Sequence, residues 1–309
     1  MFPIIPANSV TAVSGNQNGL FGFGRSYPTW LSMTNIVADT GVVASDVTGV
    51  GTVRHQLAAC EYGEDKGIFT YGVTTGWGYL DKTNLVSNTG VVATDTTGVG
   101  QERAMLAACS YGGDKGIFGY GFNYPAAPPG WLSMTNLVSN TGVVGNDVTG
   151  VGDARRNLAA CEYGTDTAIF GYGSSPGDVA TTNLISNAGV VATDTAGVGT
   201  GRQMLAACSF GGDKGIFGYG YAGSWVGVSM TNIVANTGVV AADVTGVGQV
   251  RTGLAACEYG GDKGIFGYGQ SPENTNLSMT NLVSNTGVVA SDTTGVGTGR
   301  SELGGCSFN

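Results

Sequence analysis

The residues best suited to chemistry recur as a pair, an aspartate and an arginine eight positions apart: Asp46/Arg54, Asp95/Arg103, Asp147/Arg155, Asp194/Arg202, Asp243/Arg251 and Asp292/Arg300. Six such pairs could form a ring of charge that binds an anion or lines a channel. Their identity in every copy favours structural pairs that close the loop between repeat units through charge-assisted hydrogen bonds, because an active site on a repeated scaffold breaks the symmetry. A second set, Glu61, Glu162 and Glu258, could converge on a central axis as a three-carboxylate cation site. Lys66 and Lys263 stand close enough in sequence to neutralise two of them, so no metal is expected. His55 is the single histidine. One imidazole cannot equip a copper oxidase or a zinc hydrolase, and no serine has a base to activate it. We read His55 as an incidental surface residue. The Gly-Gly-Asp-Lys turns lack the strand–loop–helix context of a phosphate loop, and repeated calcium loops do not match either. The expectation is a protein that is not an enzyme, with no catalytic residue and no cofactor.

A different kind of residue clusters elsewhere. All four tryptophans, Trp30, Trp77, Trp131 and Trp225, fall in one class of loop, joined there by Tyr27, Tyr79, Phe122, Tyr124 and Tyr221. Aromatic side chains on variable loops over a rigid scaffold are what a binding surface needs. The bland alternative is that each ring folds back to cover the base of its own loop.

What must position these residues is a repeat. The stretch from Arg103 to Gly121, Arg-Ala-Met-Leu-Ala-Ala-Cys-Ser-Tyr-Gly-Gly-Asp-Lys-Gly-Ile-Phe-Gly-Tyr-Gly, reads as two short strands joined by a Gly-rich turn. Copies begin at Arg54, Arg103, Arg155, Arg202 and Arg251. A sixth begins at Arg300 and stops at Asn309, before its second strand, and that strand is present at the other end of the chain, at 18–24. Each unit continues through a variable loop, a Met-Thr-Asn-Leu-Val-Ser-Asn strand as at 134–140, a Ser-Asn-Thr-Gly turn, and a Gly-Val-Val segment that leads to Asp. Successive cysteines lie 49, 52, 47, 49 and 49 residues apart, and the variable loop, at 10, 13, 8, 10 and 10 residues, accounts for all of the variation. No segment carries a 3.6-residue period long enough for a helix. Four strands per unit of about fifty residues fits the blade of a β-propeller. The expected fold is all-β: a six-bladed propeller with four antiparallel strands per blade, its ring closed by pairing of the N- and C-terminal strands. Residues 1–12 would be an extended arm held open by Pro3 and Pro6, and residues 13–309 a single domain whose last blade is completed by residues 18–24.

Two positions alternate between units. After the cysteine stand Glu61, Ser110, Glu162, Ser209, Glu258 and Ser307, and after the aspartate Val47, Thr96, Val148, Thr195, Val244 and Thr293. A two-unit module copied three times explains both, and raises a partner of threefold symmetry. The six cysteines fill equivalent slots, too far apart for bridging if they lie in neighbouring packed sheets, and read as buried free thiols. A net charge of −9 argues against a nucleic-acid partner. The absence of an 18-residue apolar run argues against membrane insertion, and the first residues lack the pattern of a secretory signal.

The Arg-x-x-Leu-Ala-Ala-Cys-x-Tyr-Gly-Gly-Asp-Lys-Gly-Ile-Phe-Gly-Tyr-Gly string resembles the kelch repeat, in which an arginine precedes the innermost strand and the second strand ends in a glycine doublet. Here the doublet is split as Gly-Tyr-Gly or Gly-Phe-Gly, and the later tryptophan of the family is missing. The phrase at 83–100 is similar to repeats in structural proteins of tailed bacteriophages. The kelch resemblance implies that the variable loops and the Asp-to-Arg loops share one face, with the Gly-Gly-Asp-Lys and Ser-Asn-Thr-Gly turns on the other. The phage resemblance implies a virion protein made in the host cytoplasm, in a capsid, neck or tail-fibre position, whose partners are other virion proteins or a host-surface glycan or protein. A carbohydrate-binding lectin and a soluble interaction scaffold stay open beside it.

Overall fold

The computed structural model describes residues 16–124 and 130–308; the expected arm at 1–12 lies outside them. The described residues form an all-β chain whose one helical element is a 3-10 turn at Thr75–Trp77. Six three-stranded antiparallel sheets carry the repeat. In chain order the strands of sheet 1 are Ala58–Tyr62, Lys66–Thr70 and Thr83–Val86; of sheet 2, Ala107–Tyr111, Lys115–Phe122 and Trp131–Val138; of sheet 3, Ala159–Tyr163, Thr167–Gly171 and Thr182–Ile185. Sheet 4 holds Ala206–Phe210, Lys214–Gly218 and Thr231–Val234, and sheet 5 Ala255–Tyr259, Lys263–Gly267 and Thr280–Val283. Sheet 6 is assembled from both ends of the chain. Gly304–Phe308 pairs with Asn18–Gly22 in the register Asn18↔Phe308 to Gly22↔Gly304, and Asn18–Gly22 pairs in turn with Thr34–Val37. The strand pairing expected between the chain ends is therefore present.

The first strand of each sheet packs beside the first strand of the next, from sheet 1 through sheet 6 and back to sheet 1. Small side chains make this approach possible. Ala107, Cys109 and Ala160 pack together between sheets 2 and 3, and corresponding residues fill the other junctions. The apolar interior is divided into six such clusters, one at each junction, including the one between sheets 6 and 1. No sheet buries its faces alone, which is the reason a unit of this kind needs neighbours.

Just before each first strand lies a residue in the left-handed region: Gln56, Met105, Asn157, Met204, Gly253 and Glu302, with φ between 54° and 59°. Their main chains bond one another head to tail. Gln56 donates to the carbonyl of Glu302, Glu302 to Gly253, Gly253 to Met204, Met204 to Asn157, Asn157 to Met105, and Met105 back to Gln56. The circuit returns to its starting residue. It compensates a backbone conformation that is uncommon away from glycine.

The fourth strand of each unit is a correction. The segment after the Ser-Asn-Thr-Gly turn touches the third strand at only two bridges per sheet, Val37↔Val43 and Thr34↔Val47 in sheet 6 and their counterparts elsewhere. The cause is an asparagine on the third strand. Asn35 Nδ2 donates to the Ala44 carbonyl and to Asp46 Oδ1, both at 2.9 Å, so a side chain takes the place of ladder bonds. The same arrangement recurs at Asn84, Asn136, Asn183, Asn232 and Asn281.

A candidate binding face

The first residue of each variable loop bridges the residue just after the repeated arginine: Arg25↔Ser301, His55↔Val73, Ala104↔Phe122, Arg156↔Ser174, Gln203↔Tyr221 and Thr252↔Gln270. That residue is followed by the left-handed one, so the loop bases surround the main-chain circuit. A cavity of about 100 Å³ opens there, lined by Leu57, Leu106, Leu158, Leu205, Leu254 and Leu303 beneath Gln56, Met105, Asn157, Met204 and Glu302. Four of the loops are two-stranded ribbons, at Arg25–Ser26 with Thr29–Trp30, Val73–Thr74 with Gly78–Tyr79, Ser174–Ser175 with Gly177–Asp178, and Tyr221–Ala222 with Val226–Gly227. In sheet 2 the loop extends the main strands, pairing Phe122 with Trp131.

The nine loop aromatics divide into two groups. Tyr27, Trp77, Tyr124 and Trp225 are exposed, at 66–77%. Trp30, Tyr79, Phe122, Trp131 and Tyr221 are half-buried and support the loops: Tyr79 packs on Phe122, Tyr221 on Trp225, and Trp30 on His55. The indole nitrogens of Trp30 and Trp131 are buried without a protein acceptor. Five of the nine rings therefore fold back on their loops, and four stand in solvent.

The arginines are a second correction. Arg54, Arg103, Arg155, Arg202, Arg251 and Arg300 are fully buried, and none meets the aspartate eight residues before it. Asp46 belongs to sheet 6 and faces Arg300 at 3.8 Å, while Arg54 enters sheet 1 and faces Asp95 at 3.8 Å. Asp147, Asp194 and Asp243 face Arg103, Arg155 and Arg202 at 3.4–3.9 Å, and Asp292 interacts electrostatically with Arg251. The ion pair thus lies within one sheet rather than across the connecting loop. Closer contacts hold the guanidinium. Arg54, Arg103, Arg155 and Arg300 donate to Asn84, Asn136, Asn183 and Asn35 at 2.5–2.7 Å, and Arg251 donates to Asn281. All six lie 4.1–4.8 Å over an aromatic ring of the preceding sheet: Phe23, Tyr71, Tyr120, Tyr172, Tyr219 or Tyr268. Each cation thereby joins two sheets. Burial pushes Arg54 down to about 10, with Asp95 acting to raise it. The aspartate holds the connecting loop through its other oxygen, as in the 3.0 Å bond from the Thr52 amide to Asp95.

His55 is the third correction: it is buried, at 3% exposure. Its Nδ1 lies 2.5 Å from Glu302 Oε2, and Arg25 Nε approaches the same carboxylate at 2.9 Å. Burial would raise the Glu302 carboxyl, but the bonds and charges of His55 and Arg25, with a bond from Gln56, hold it below the usual range. This is an internally closed cluster joining the two ends of the chain.

At the other mouth a cavity of about 270 Å³ is lined by Glu61, Ser110, Glu162, Ser209, Glu258 and Ser307, with the six cysteines behind, beside an alanine in five of the first strands and Gly305 in the sixth. Lys66 pairs with Asp65 and Lys263 with Asp262. Burial pushes Glu162 up to about 7 against a 3.0 Å bond from Ser110. Burial, then the charge of Glu162, does the same to Glu258. The Ser-Asn-Thr-Gly turns belong to this end, since Asn88, Asn140, Asn187, Asn236 and Asn285 donate to aspartates of the Gly-rich turns. All six cysteines are free and buried. Among the described residues no group of His, Cys, Asp and Glu is arranged to hold a metal ion, and no helix is long and apolar enough to cross a membrane.

Compared with known proteins, the chain matches no family model and no curated relative.

Proposed function

We propose that this chain is a six-bladed, kelch-like β-propeller that works as a binding protein rather than an enzyme, engaging an external partner through its variable loops. The observation that carries the reading is the contrast between scaffold and loops. The six repeated arginines are buried and spent on packing, whereas Tyr27, Trp77, Tyr124 and Trp225 are presented to solvent on the one element whose length varies. The cyclic order of strand contacts and the closed main-chain circuit support the propeller. The resemblance of the 83–100 phrase to phage structural repeats supports a place on a virion, in a decoration, neck or fibre position, with a neighbouring virion protein or the host surface as partner.

The test has two arms. The protein should be recovered at fixed stoichiometry in purified particles, and labelled protein should bind host cells. Changing the four exposed rings together to alanine should abolish attachment while leaving the melting temperature within a few degrees. Recovery only in the soluble fraction, with attachment unaffected by the four changes, would refute the proposal.

A further inference from the structure

In a chain of net charge −9, almost every cation has an anion. Among the described residues, Arg25, Arg54, Arg103, Arg155, Arg202, Arg300 and all five lysines have a carboxylate within 4 Å, and Arg251 interacts with Asp292. Arg156 is the exception. It occupies the same place in sheet 3 as His55 in sheet 1, the residue after the repeated arginine that bridges the loop base. His55 is answered from within by Glu302; Arg156 has no such partner.

Its surroundings hold it in place all the same. The guanidinium carbon lies 4.8 Å from the Phe122 ring centre and 5.9 Å from that of Trp131. Phe122 is packed at 6.4 Å by Tyr79, whose hydroxyl is hydrogen-bonded by the backbone of Tyr124. Arg156 Nε is sealed in without an acceptor. A planar cation fixed between rings has lost little further freedom to lose on binding, and its fork matches a carboxylate. Two of the exposed rings are carried on the same loops, Trp77 on the hairpin of Tyr79 and Tyr124 two residues after Phe122. Flat exposed rings suit the C–H faces of a sugar.

We propose that Trp77, Tyr79, Phe122, Tyr124, Trp131 and Arg156 form a site for a carboxylate-bearing saccharide, with the acid on Arg156 and the sugar rings against Trp77 and Tyr124. The site rests on the loop-face reading above and names its ligand class. A fixed guanidinium flanked by flat rings fits a sugar acid better than an acidic peptide, whose carboxylates ride on flexible stems.

The full chain would be titrated with a panel of uronate- and sialate-bearing oligosaccharides, each beside its carboxyl-reduced counterpart, and with a glutamate-rich peptide. At least one acidic glycan should bind ten-fold or more tightly than its reduced form, with affinity falling as salt rises. Arg156→Gln should remove that difference, and Lys214→Gln, which takes a charge from the Gly-rich turn of sheet 4 at the other mouth, should leave it intact. The carboxyl-reduced sugars test the unaltered protein, so the result does not depend on how the variant folds. Equal binding of acidic and reduced forms, no glycan binding, or tighter binding of the peptide would overturn the site. If the four-ring variant still loses attachment in that case, the ligand class has failed and the loop-face reading has not.

Discussion

Glu162 and Glu258 sit in the folded protein more comfortably protonated than ionised. Burial raises both from the ordinary carboxyl value to about 7, so the folded state binds more protons than the unfolded chain between roughly pH 4.5 and 7. Stability from these groups is fully present below that window and falls as pH rises through it, on the order of 3 kcal/mol for each carboxyl. Asp46, Asp95, Asp243 and Glu302 act in the opposite sense. Their folded values are held down, so their contribution is lost only in stronger acid. The expected outcome is a urea midpoint that is higher at pH 5 than at pH 8. The double variant Glu162→Gln, Glu258→Gln should be nearly flat over the same range and more stable than the parent at pH 8. A parent midpoint that climbs toward pH 8 would show that these carboxyls ionise freely. The pairing of these residues was only half legible in sequence. Their convergence follows from the repeat, but sequence proximity did not show that Lys66 and Lys263 would also pair with the aspartates next to them. His55 was illegible for a plainer reason: its partner Glu302 is 247 residues away.

At the scale of the element, the second strand shows how closely neighbouring sheets approach. A Cβ built on Gly119 would lie 2.5 Å from the Phe170 ring of sheet 3, so only glycine fits there. The corresponding residue in sheet 1 is Thr70, fully buried, whose hydroxyl meets Thr83 Oγ1 at 2.9 Å and the Lys82 carbonyl at 3.1 Å. The same position is therefore closed at one junction and filled at another. Gly119→Thr should destabilise by about 1–3 kcal/mol through overpacking, measured by denaturant unfolding, whereas Thr70→Gly loses a satisfied hydroxyl and gains chain entropy in the unfolded state. If Gly119→Thr leaves the midpoint unchanged, the sheets are not held at this spacing. Three strands per unit could be read from their apolar runs and turns. The fourth could not, because a buried asparagine side chain does the work of a ladder, and no pattern of apolar residues announces that. The loop ribbons were equally hidden, at two residues per strand.

For the whole molecule, the decisive feature is that one sheet is built from residues 250 or more apart in the chain. Asn18–Gly22 supplies the middle strand of sheet 6, Leu20 and Phe23 fill the core between sheets 6 and 1, the Phe23 ring carries Arg54, and the Phe23 carbonyl accepts from Arg300 Nε at 2.9 Å. Removing residues 1–24 would strand Gly304–Phe308 and Thr34–Val37 on either side of a gap, take the Phe23 ring from Arg54 and leave the buried Arg300 Nε without its carbonyl acceptor, an unsatisfied donor that costs about 1–3 kcal/mol. The main-chain circuit would lose the support of sheet 6 at Glu302. Thermal unfolding of the truncated chain should begin far below that of the parent and lose its cooperativity. A synthetic peptide covering residues 16–24, added in excess, should restore part of the midpoint by re-forming the strand in trans, with a shift that grows with its concentration as binding linkage requires. An unchanged melt on truncation would mean that the sheets hold together without closure. Destabilisation that the peptide cannot reverse at any concentration would place the loss elsewhere than in the missing strand.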